Sequence, residues 1–165
     1  METTLERGER VVVRKLHPDD LTRVIALDAK ILGRERAKFF ESVLQRNLRE
    51  TGVQVSLAAE LDGIFVGYLL ARAWYGEFGT MEPYAALESF GVHPDFQKQG
   101  VGRALLEQLV TNLNGLGLKL LRTEVDWNDL ELIAFFHRAG FKPSQRLCLD
   151  LAWPQHDPRT KLSPR

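Results

Sequence analysis

The residue pattern best suited to chemistry is the glycine-containing stretch Gln97–Gly102. Gly100 and Gly102 allow the main chain to approach a ligand closely, and the spacing of the following leucines predicts that a helix begins here. The N–H groups at the start of a helix point toward one place, where the helix dipole favours negative charge. Lys98 and Arg103 add positive charge. The stretch therefore predicts a site for a phosphate or pyrophosphate group.

Three phosphate-binding patterns can be compared with this stretch. The dinucleotide pattern G-x-G-x-x-G fails because Leu105 stands at its third glycine position. The P-loop pattern G-x-x-x-x-G-K-[ST] does not occur in the sequence. The pattern that does occur is Q-x-x-G-x-G, which alone fits a tight connection between a strand and a helix equally well. The neighbouring elements are needed to distinguish a phosphate-binding site from a tight connection between a strand and a helix.

The elements that would position this turn follow from the spacing of apolar residues. The predicted element before the turn is a strand at 84–92. The predicted elements after it are a helix at 100–113, a strand at 118–126, a helix at 128–138 and a strand at 146–152. The alternation of strands and helices implies parallel pairing in this half of the chain.

The first half of the chain predicts antiparallel pairing. Alternating apolar residues on both sides of Asp62-Gly63 are typical of a hairpin, because the turn needs positive φ. The other elements expected here are a strand at 10–16, helices at 18–32 and 35–49, and an aromatic loop at 74–83 that either caps the core or contacts substrate. Together the two halves predict an α/β fold with a mixed sheet.

The runs LESFGVHPDFQKQGVGRALLEQLV and LLRTEVDWNDLELIAFFHRAGF resemble the acetyl-CoA-binding half of the GNAT superfamily of N-acetyltransferases. The resemblance is specific over about residues 84–141, whereas the first eighty residues match only in the order of elements. It implies a mixed, partly antiparallel central sheet of six to seven strands with about four helices. In that family the strand before the turn bulges and splays from its neighbour at the cofactor site. We expect a single domain at 1–153, followed by an irregular tail at 154–165.

The resemblance implies acetyl-CoA as cosubstrate and assigns residues to it. The gap between the splayed strands would admit the pantetheine arm. The turn would hold the pyrophosphate. The residues that would contact the cofactor are Phe90, Gly91, Val92, Gln97, Lys98, Gln99, Gly100, Val101, Gly102, Arg103, Asn128, Phe135 and Phe136.

Acetyl transfer to an amine needs the neutral amine, and with a pKa of about 10.4 only roughly one lysine-like amine in a thousand is neutral near pH 7.4. A general base is therefore useful. Glu88 is one candidate, because strict alternation would place it on one strand face with Tyr84, Ala86, Phe90 and Val92. The other candidate is Glu124, and either carboxylate could instead pair with a cation such as Arg122 or Lys119. The backbone N–H of Val92 is the expected oxyanion donor.

The leaving thiolate raises a separate question. Many members of the superfamily carry a tyrosine on the last helix in a pattern like N-x-x-A-x-x-F-Y, and Phe136 stands at that tyrosine position here. Phenylalanine cannot donate a proton. The step would fall to water, to Tyr75 or Tyr84, or to no group at all, since a thiol with a pKa near 8.5 gives a fair leaving thiolate.

Composition excludes several classes of protein. The 165 residues carry 22 Lys+Arg and 22 Asp+Glu, so a broad nucleic-acid-binding or membrane-binding surface is not expected. The single Cys148 and the polar start METTLERGER predict a cytoplasmic protein without disulfides. The four histidines, among them His93 and His137, show no metal-ligand spacing, so no metal is expected.

The leading interpretation is an N-acetyltransferase acting on a primary amine of a peptide, protein or small molecule by direct attack in a ternary complex. The alternative is a CoA-binding sensor or partner module with little catalysis, which the missing tyrosine suggests. Acidic residues expected near the acceptor, Asp28, Glu77 and Glu82, favour a cationic amine. The resemblance also makes a homodimer reasonable.

Overall fold

The computed structural model describes residues 11–50, 55–74 and 82–152, with the backbone alone at 47–50. These residues fall into two compact units, one within residues 1–126 and the other within residues 127–165. The expected single domain at 1–153 stays a prediction. Most of the aromatic loop, residues 75–81, and the whole tail at 154–165 lie outside the described residues.

The first unit is built on a sheet whose strands lie in chain order, β1-β2-β3-β4-β5. The first four strands pair antiparallel and β5 pairs parallel with β4, so the predicted mixed sheet is confirmed. The strands are β1 (Val11–Lys15), β2 (Leu57–Leu61), β3 (Ile64–Trp74), β4 (Tyr84–Val92) and β5 (Leu121–Thr123).

The described residues contain four α-helices, as predicted. The helices are α1 (Leu21–Leu32), α2 (Ala37–Glu50), α3 (Val101–Gly115) and, in the second unit, α4 (Leu130–Arg138). A short 3-10 turn at Pro18–Asp20 precedes α1, and another at Pro94–Phe96 precedes the glycine-containing stretch Gln97–Gly102. The predicted hairpin is confirmed, since Asp62 and Gly63 both have positive φ, at 51° and 80°.

The expected count of six to seven strands is wrong, because the described residues contain five. The predicted strand at 146–152 has no ladder partner in the described part of the chain, and its alternating Leu147, Leu149 and Leu151 are exposed at 85%, 87% and 62%. An alternating pattern marks a segment that suits a sheet, but a strand also needs a neighbouring strand with open hydrogen-bonding groups. The predicted strand at 118–126 is correspondingly shorter, at Leu121–Thr123.

The two faces of the sheet are covered by different helices. On one face, Tyr68 and Leu70 of β3 pack with buried residues of α1 and α2, including Val24 and Phe40. On the other face, Gly67 lies against α3, where an added Cβ would come within 3.0 Å of Val101 Cγ1. The first and third helices therefore lie on opposite sides of β3 and β4.

Candidate functional site

The centre of the candidate site is a bulge in β4 at Glu88. Against β3, Leu70 pairs with Ser89 and the next residue, Ala71, pairs with Leu87, so Glu88 is the extra residue. The predicted bulge before the turn is therefore confirmed.

The bulge corrects one prediction from the sequence. Phe90 and Val92 do not share a face with Tyr84 and Ala86, because an extra residue at Glu88 reverses the alternation beyond it. The register shows this, since Tyr84 and Ala86 pair with even-numbered residues of β3, whereas Phe90 and Val92 pair with odd-numbered ones.

The same bulge redirects the main chain of β4. Before it, the Ala85 N–H donates to Leu120 and the Leu87 carbonyl accepts from Thr123 Oγ1, so both groups point toward β5. After it, the His93 N–H donates to Val66 of β3, and alternation turns the N–H groups of Val92 and Phe90 to the other edge. At that edge β5 pairs only with Ala85, Ala86 and Leu87 among the described residues. The strands therefore splay where Phe90 and Val92 present their main-chain groups.

The turn that follows β4 has the backbone its glycines predict. Gly100 has a φ of 83° and is the N-cap of α3, and its carbonyl already accepts the Ala104 N–H. Lys98 also has positive φ, at 62°. An added Cβ on Gly100 would meet no atom within 4 Å, so the glycine is required by its left-handed conformation and the position is open to a ligand. Val101 and Gly102 begin the helix and are buried.

The side chains of the turn mostly bond within it. Gln97 Nε2 donates to the Val92 carbonyl at 3.4 Å, and Gln99 Nε2 donates to the Asp95 carbonyl at 3.2 Å. Arg103 Nε lies 2.6 Å from Glu107, whose carboxylate raises the pKa of the arginine. The groups left for an anion are the first N–H groups of α3 and the exposed Lys98. This arrangement fits the pyrophosphate of acetyl-CoA.

Glu88 lies beside a buried cation. Its Oε1 is 3.6 Å from Nε of Arg72, which is 9% exposed, and its Oε2 is shielded from solvent and forms no hydrogen bond to any described residue. The Arg72 guanidinium carbon lies 3.7 Å from the centre of the Trp74 ring. The cation beside Glu88 is thus Arg72, whereas Arg122 stacks on the Tyr84 ring at 4.3 Å.

Glu124 is placed differently from Glu88. It follows the last residue of β5 and is exposed.

Gly91 is buried and pairs with Tyr68 of β3, and an added Cβ would come within 2.6 Å of the Tyr68 ring and 2.9 Å of Ile31. This close approach requires glycine for packing against α1, a reason that the sequence pattern did not show.

A polar network beside the bulge was not predicted. Asp28 is 3% exposed and accepts hydrogen bonds from Arg36 Nε and Nη2 at 2.9 and 2.6 Å. It also accepts from the Tyr68 hydroxyl at 2.8 Å, which lies 3.2 Å from Ser89 Oγ. Burial is the main cause that raises the pKa of Tyr68. The expected role of Asp28 in attracting a cationic amine is therefore wrong, because its carboxylate is enclosed and already paired with Arg36.

The second unit holds the remaining predicted cofactor residues. Asp129 caps α4 by accepting the Leu132 N–H at 3.1 Å, and the Asn128 carbonyl accepts the Leu130 N–H at 3.0 Å. Phe136 is buried, with its ring 5.4 Å from Phe135 and 4.9 Å from Phe141 between centres. The cofactor roles of Asn128, Phe135 and Phe136 stay predictions.

The described residues offer neither a cluster of metal ligands nor a membrane-spanning helix. No group of three or more His, Cys, Asp or Glu side chains in ranges 11–50, 55–74 and 82–152 is arranged to hold a metal ion. Within those same ranges, every helix is too short or too polar to cross a membrane.

Comparison with known proteins places these features in a family. The chain is 42% identical over 57 residues to the [Ribosomal protein bS18]-alanine N-acetyltransferase of Escherichia coli (strain K12), a match that covers 34% of this chain and only 38% of that relative. It is 29% identical over 106 residues to the aminoglycoside N(6')-acetyltransferase type 1 of Stenotrophomonas maltophilia, covering 63% and 69% of the two chains.

Solved structures agree on the fold. The aminoglycoside N-acetyltransferase AAC(6')-Iy in complex with CoA superposes with a TM-score of 0.73 at 17% identity, covering 90% of this chain and 98% of that one. Residues 21–141 match the family model described as the acetyltransferase (GNAT) family. The bulged strand, the glycine turn and this match lead to one conclusion: the chain belongs to the GNAT acetyltransferase family, whose acetyl donor is acetyl-CoA.

Proposed function

We propose that the protein transfers the acetyl group of acetyl-CoA to a primary amine by direct attack in a ternary complex. The observation that carries the proposal is the bulge at Glu88, which directs the N–H groups of Phe90 and Val92 into the splayed edge. Glu88 lies at the start of that splay, and the turn at Gln97–Arg103 follows at its far end. One strand thus brings together an acid–base group, main-chain donors and an anion site.

Each group has a role in the proposed reaction. The N–H groups at the start of α3 and Lys98 hold the pyrophosphate, and the main chain of Phe90 and Val92 binds along the cofactor arm. Glu88 accepts the proton from the acceptor amine, since its side chain is partly exposed and the described residues leave its carboxylate with an incomplete set of hydrogen bonds. The Val92 N–H stabilises negative charge on the acetyl oxygen. Glu124 is the second candidate base.

The acceptor is a primary amine of a peptide, a protein or a small molecule. Two relatives support this breadth, since one is a ribosomal-protein alanine N-acetyltransferase and the other an aminoglycoside acetyltransferase. Of the two tyrosines considered for protonating the thiolate, Tyr75 lies outside the described residues and Tyr84 is buried beneath Arg122. We therefore propose that Tyr84 does not protonate the thiolate, which leaves Tyr75, water or no acid for this step.

Cofactor binding is tested by thermal unfolding. At acetyl-CoA concentrations near 100 times Kd, binding stabilises the fold by about 2.7 kcal/mol, which raises Tm by roughly 5–10 °C. Gly100→Asp places a carboxylate against the pyrophosphate and weakens binding about 100-fold, because like charges in contact cost several kcal/mol. Gly117→Asp is the matched control, since Gly117 also has positive φ, at 74°, and open space around it. An acetyl-CoA shift that Gly100→Asp leaves unchanged would place the pyrophosphate elsewhere, and equal loss in both variants would attribute the loss to the added charge or to backbone strain.

Catalysis is tested by release of the CoA thiol. The probes are an alanine-terminated peptide, a polyamine and an aminoglycoside, each supplied with acetyl-CoA. Thiol release that depends on one of these amines supports the proposed transfer. Binding of acetyl-CoA without thiol release from any probe would instead favour a CoA-binding module.

A further inference from the structure

Arg72 lies next to the proposed base, and neither the sequence pattern nor the family match gives it a role. We infer that Arg72 is a positioning residue that holds the Glu88 carboxylate at the bulge, so that the carboxylate can accept the proton of the acceptor amine. The inference rests on the proposed function, in which Glu88 is the base. The groups proposed above for the reaction lie on β4 and in the turn, whereas Arg72 lies on β3.

Arg72 is itself held in place. Its register partner on β4 is Ala86, two residues before the bulge, and its side chain is 10% exposed. The guanidinium stacks on the Trp74 ring at 3.7 Å, which fixes the plane of the cation. An arginine fixed in this way offers a defined point of positive charge to the carboxylate of the bulged residue.

The contact between Arg72 and Glu88 differs from that of a structural ion pair. The separation of Nε and Oε1, 3.6 Å, exceeds the range of a hydrogen bond, and Oε2 is buried without a donor from the described residues. A buried carboxylate normally has its hydrogen bonds completed, because an incomplete set costs free energy. The Glu88 carboxylate therefore keeps capacity to accept a proton that a fully bonded structural carboxylate lacks.

The inference predicts a specific kinetic effect. Without Arg72 the Glu88 side chain can rotate away from the acceptor, so kcat falls while the KM for acetyl-CoA, which depends on the turn, stays unchanged. Because Arg72 acts through Glu88, its removal has no further effect once the carboxylate is gone. Substitution of a residue that only maintains the fold would lower activity equally in the protein with Glu88 and in the Glu88→Gln variant.

A double-mutant cycle tests this prediction with the thiol-release assay and the three amine probes. The variants are Arg72→Gln, Glu88→Gln, the double variant and the conservative Arg72→Lys. We expect Arg72→Gln to lower kcat about tenfold or more, less than twofold further loss in the Glu88→Gln background, and partial recovery with Arg72→Lys. Arg122→Gln, which removes a stacked arginine from neighbouring β5, is the matched control and keeps kcat within about threefold.

The outcomes separate this inference from the proposed function. Absence of thiol release by the unmodified protein overturns the proposed function and this inference with it. Full activity of Glu88→Gln overturns the base assignment. A loss caused by Arg72→Gln that is equal in both backgrounds overturns the positioning role while the transfer reaction stands. If Arg72→Gln does not fold, the same cycle with Arg72→Lys decides, and an equal loss in both backgrounds again overturns the inference.

Discussion

Two pairs of arginine and carboxylate lie on the same face of β3 and β4, and their hydrogen bonds are completed to different extents. Asp28 receives two hydrogen bonds from Arg36 and one from Tyr68, all between 2.6 and 2.9 Å. Glu88 has Arg72 at 3.6 Å, and no described residue donates a hydrogen bond to its Oε2. Both carboxylates are largely shielded from solvent, so burial alone does not distinguish them.

The difference indicates which carboxylate stabilises the fold and which is available for chemistry. A carboxylate with three short hydrogen bonds has little capacity left for a substrate, and its removal leaves buried partners unpaired. A carboxylate with one oxygen unbonded contributes less to stability and retains a lone pair that can accept a proton. Substitutions at the two sites should therefore separate stability from activity.

The largest effect is expected at Glu88. Glu88→Gln keeps the shape of the side chain and removes the base, so kcat should fall about 10²–10³-fold. The free energy of unfolding should change less than it does on substitution of Asp28, because fewer hydrogen bonds are lost. Thiol-release kinetics and thermal unfolding, measured on the same samples, provide both values.

Glu124→Gln tests the second candidate base. Glu124 lies just beyond β5 and is exposed, so its substitution should leave kcat within about threefold. The reverse result, with activity lost in Glu124→Gln and kept in Glu88→Gln, would assign the base to Glu124. It would also show that an unbonded buried oxygen is a poor guide to function in this protein.

The backbone of the turn at Gln97–Gly102 could be predicted from the sequence because it depends on residues that are adjacent in the chain. The left-handed conformation of Gly100 and the start of α3 follow from residues that are adjacent in sequence. The hairpin at Asp62-Gly63 and the strand at 84–92 were predicted for the same reason. In each case the residue types and the required backbone conformation lie in one short segment.

The environment of Glu88 could not be predicted in the same way. It depends on the register between β3 and β4, and one extra residue at the bulge reverses every side chain beyond it. Arg72 and Tyr68 lie far from their carboxylate partners in the chain, and no local pattern specifies such contacts. The absent strand at 146–152 has a related cause, since the leucine spacing contains no information about a pairing partner.

The second largest effect is expected at Asp28. Asp28→Asn removes the charge that pairs with Arg36, so the free energy of unfolding should fall by about 2 kcal/mol, less than for a fully buried pair because Arg36 is partly exposed. The rise in Tm caused by acetyl-CoA should remain, because the turn is unchanged. An unchanged Tm in Asp28→Asn would mean that the pair of Asp28 and Arg36 does not stabilise the fold. Hydrogen bonding would then not distinguish Asp28 from Glu88.

The smallest effect is expected at Tyr68, which contributes one of the three hydrogen bonds to Asp28. Tyr68→Phe keeps the buried ring and removes the hydroxyl, so the free energy of unfolding should fall by about 1 kcal/mol near pH 7. The loss should be smaller than in Asp28→Asn, where the charge is removed and one of the two acceptor oxygens becomes an NH2 donor.

The loss of stability in Tyr68→Phe should depend on pH. Burial raises the pKa of Tyr68 above its ordinary value of 10.0, so the folded state keeps the phenol protonated where the unfolded chain ionises. The stability that the hydroxyl provides is complete below pH 10 and decreases as pH rises above 10. Unfolding of the two proteins by urea at pH 7 to 11 should therefore show the difference between them narrowing on the alkaline side. A difference that stays constant through pH 11 would mean that the Tyr68 phenol ionises as readily in the folded protein as in the unfolded chain, so that burial does not raise its pKa.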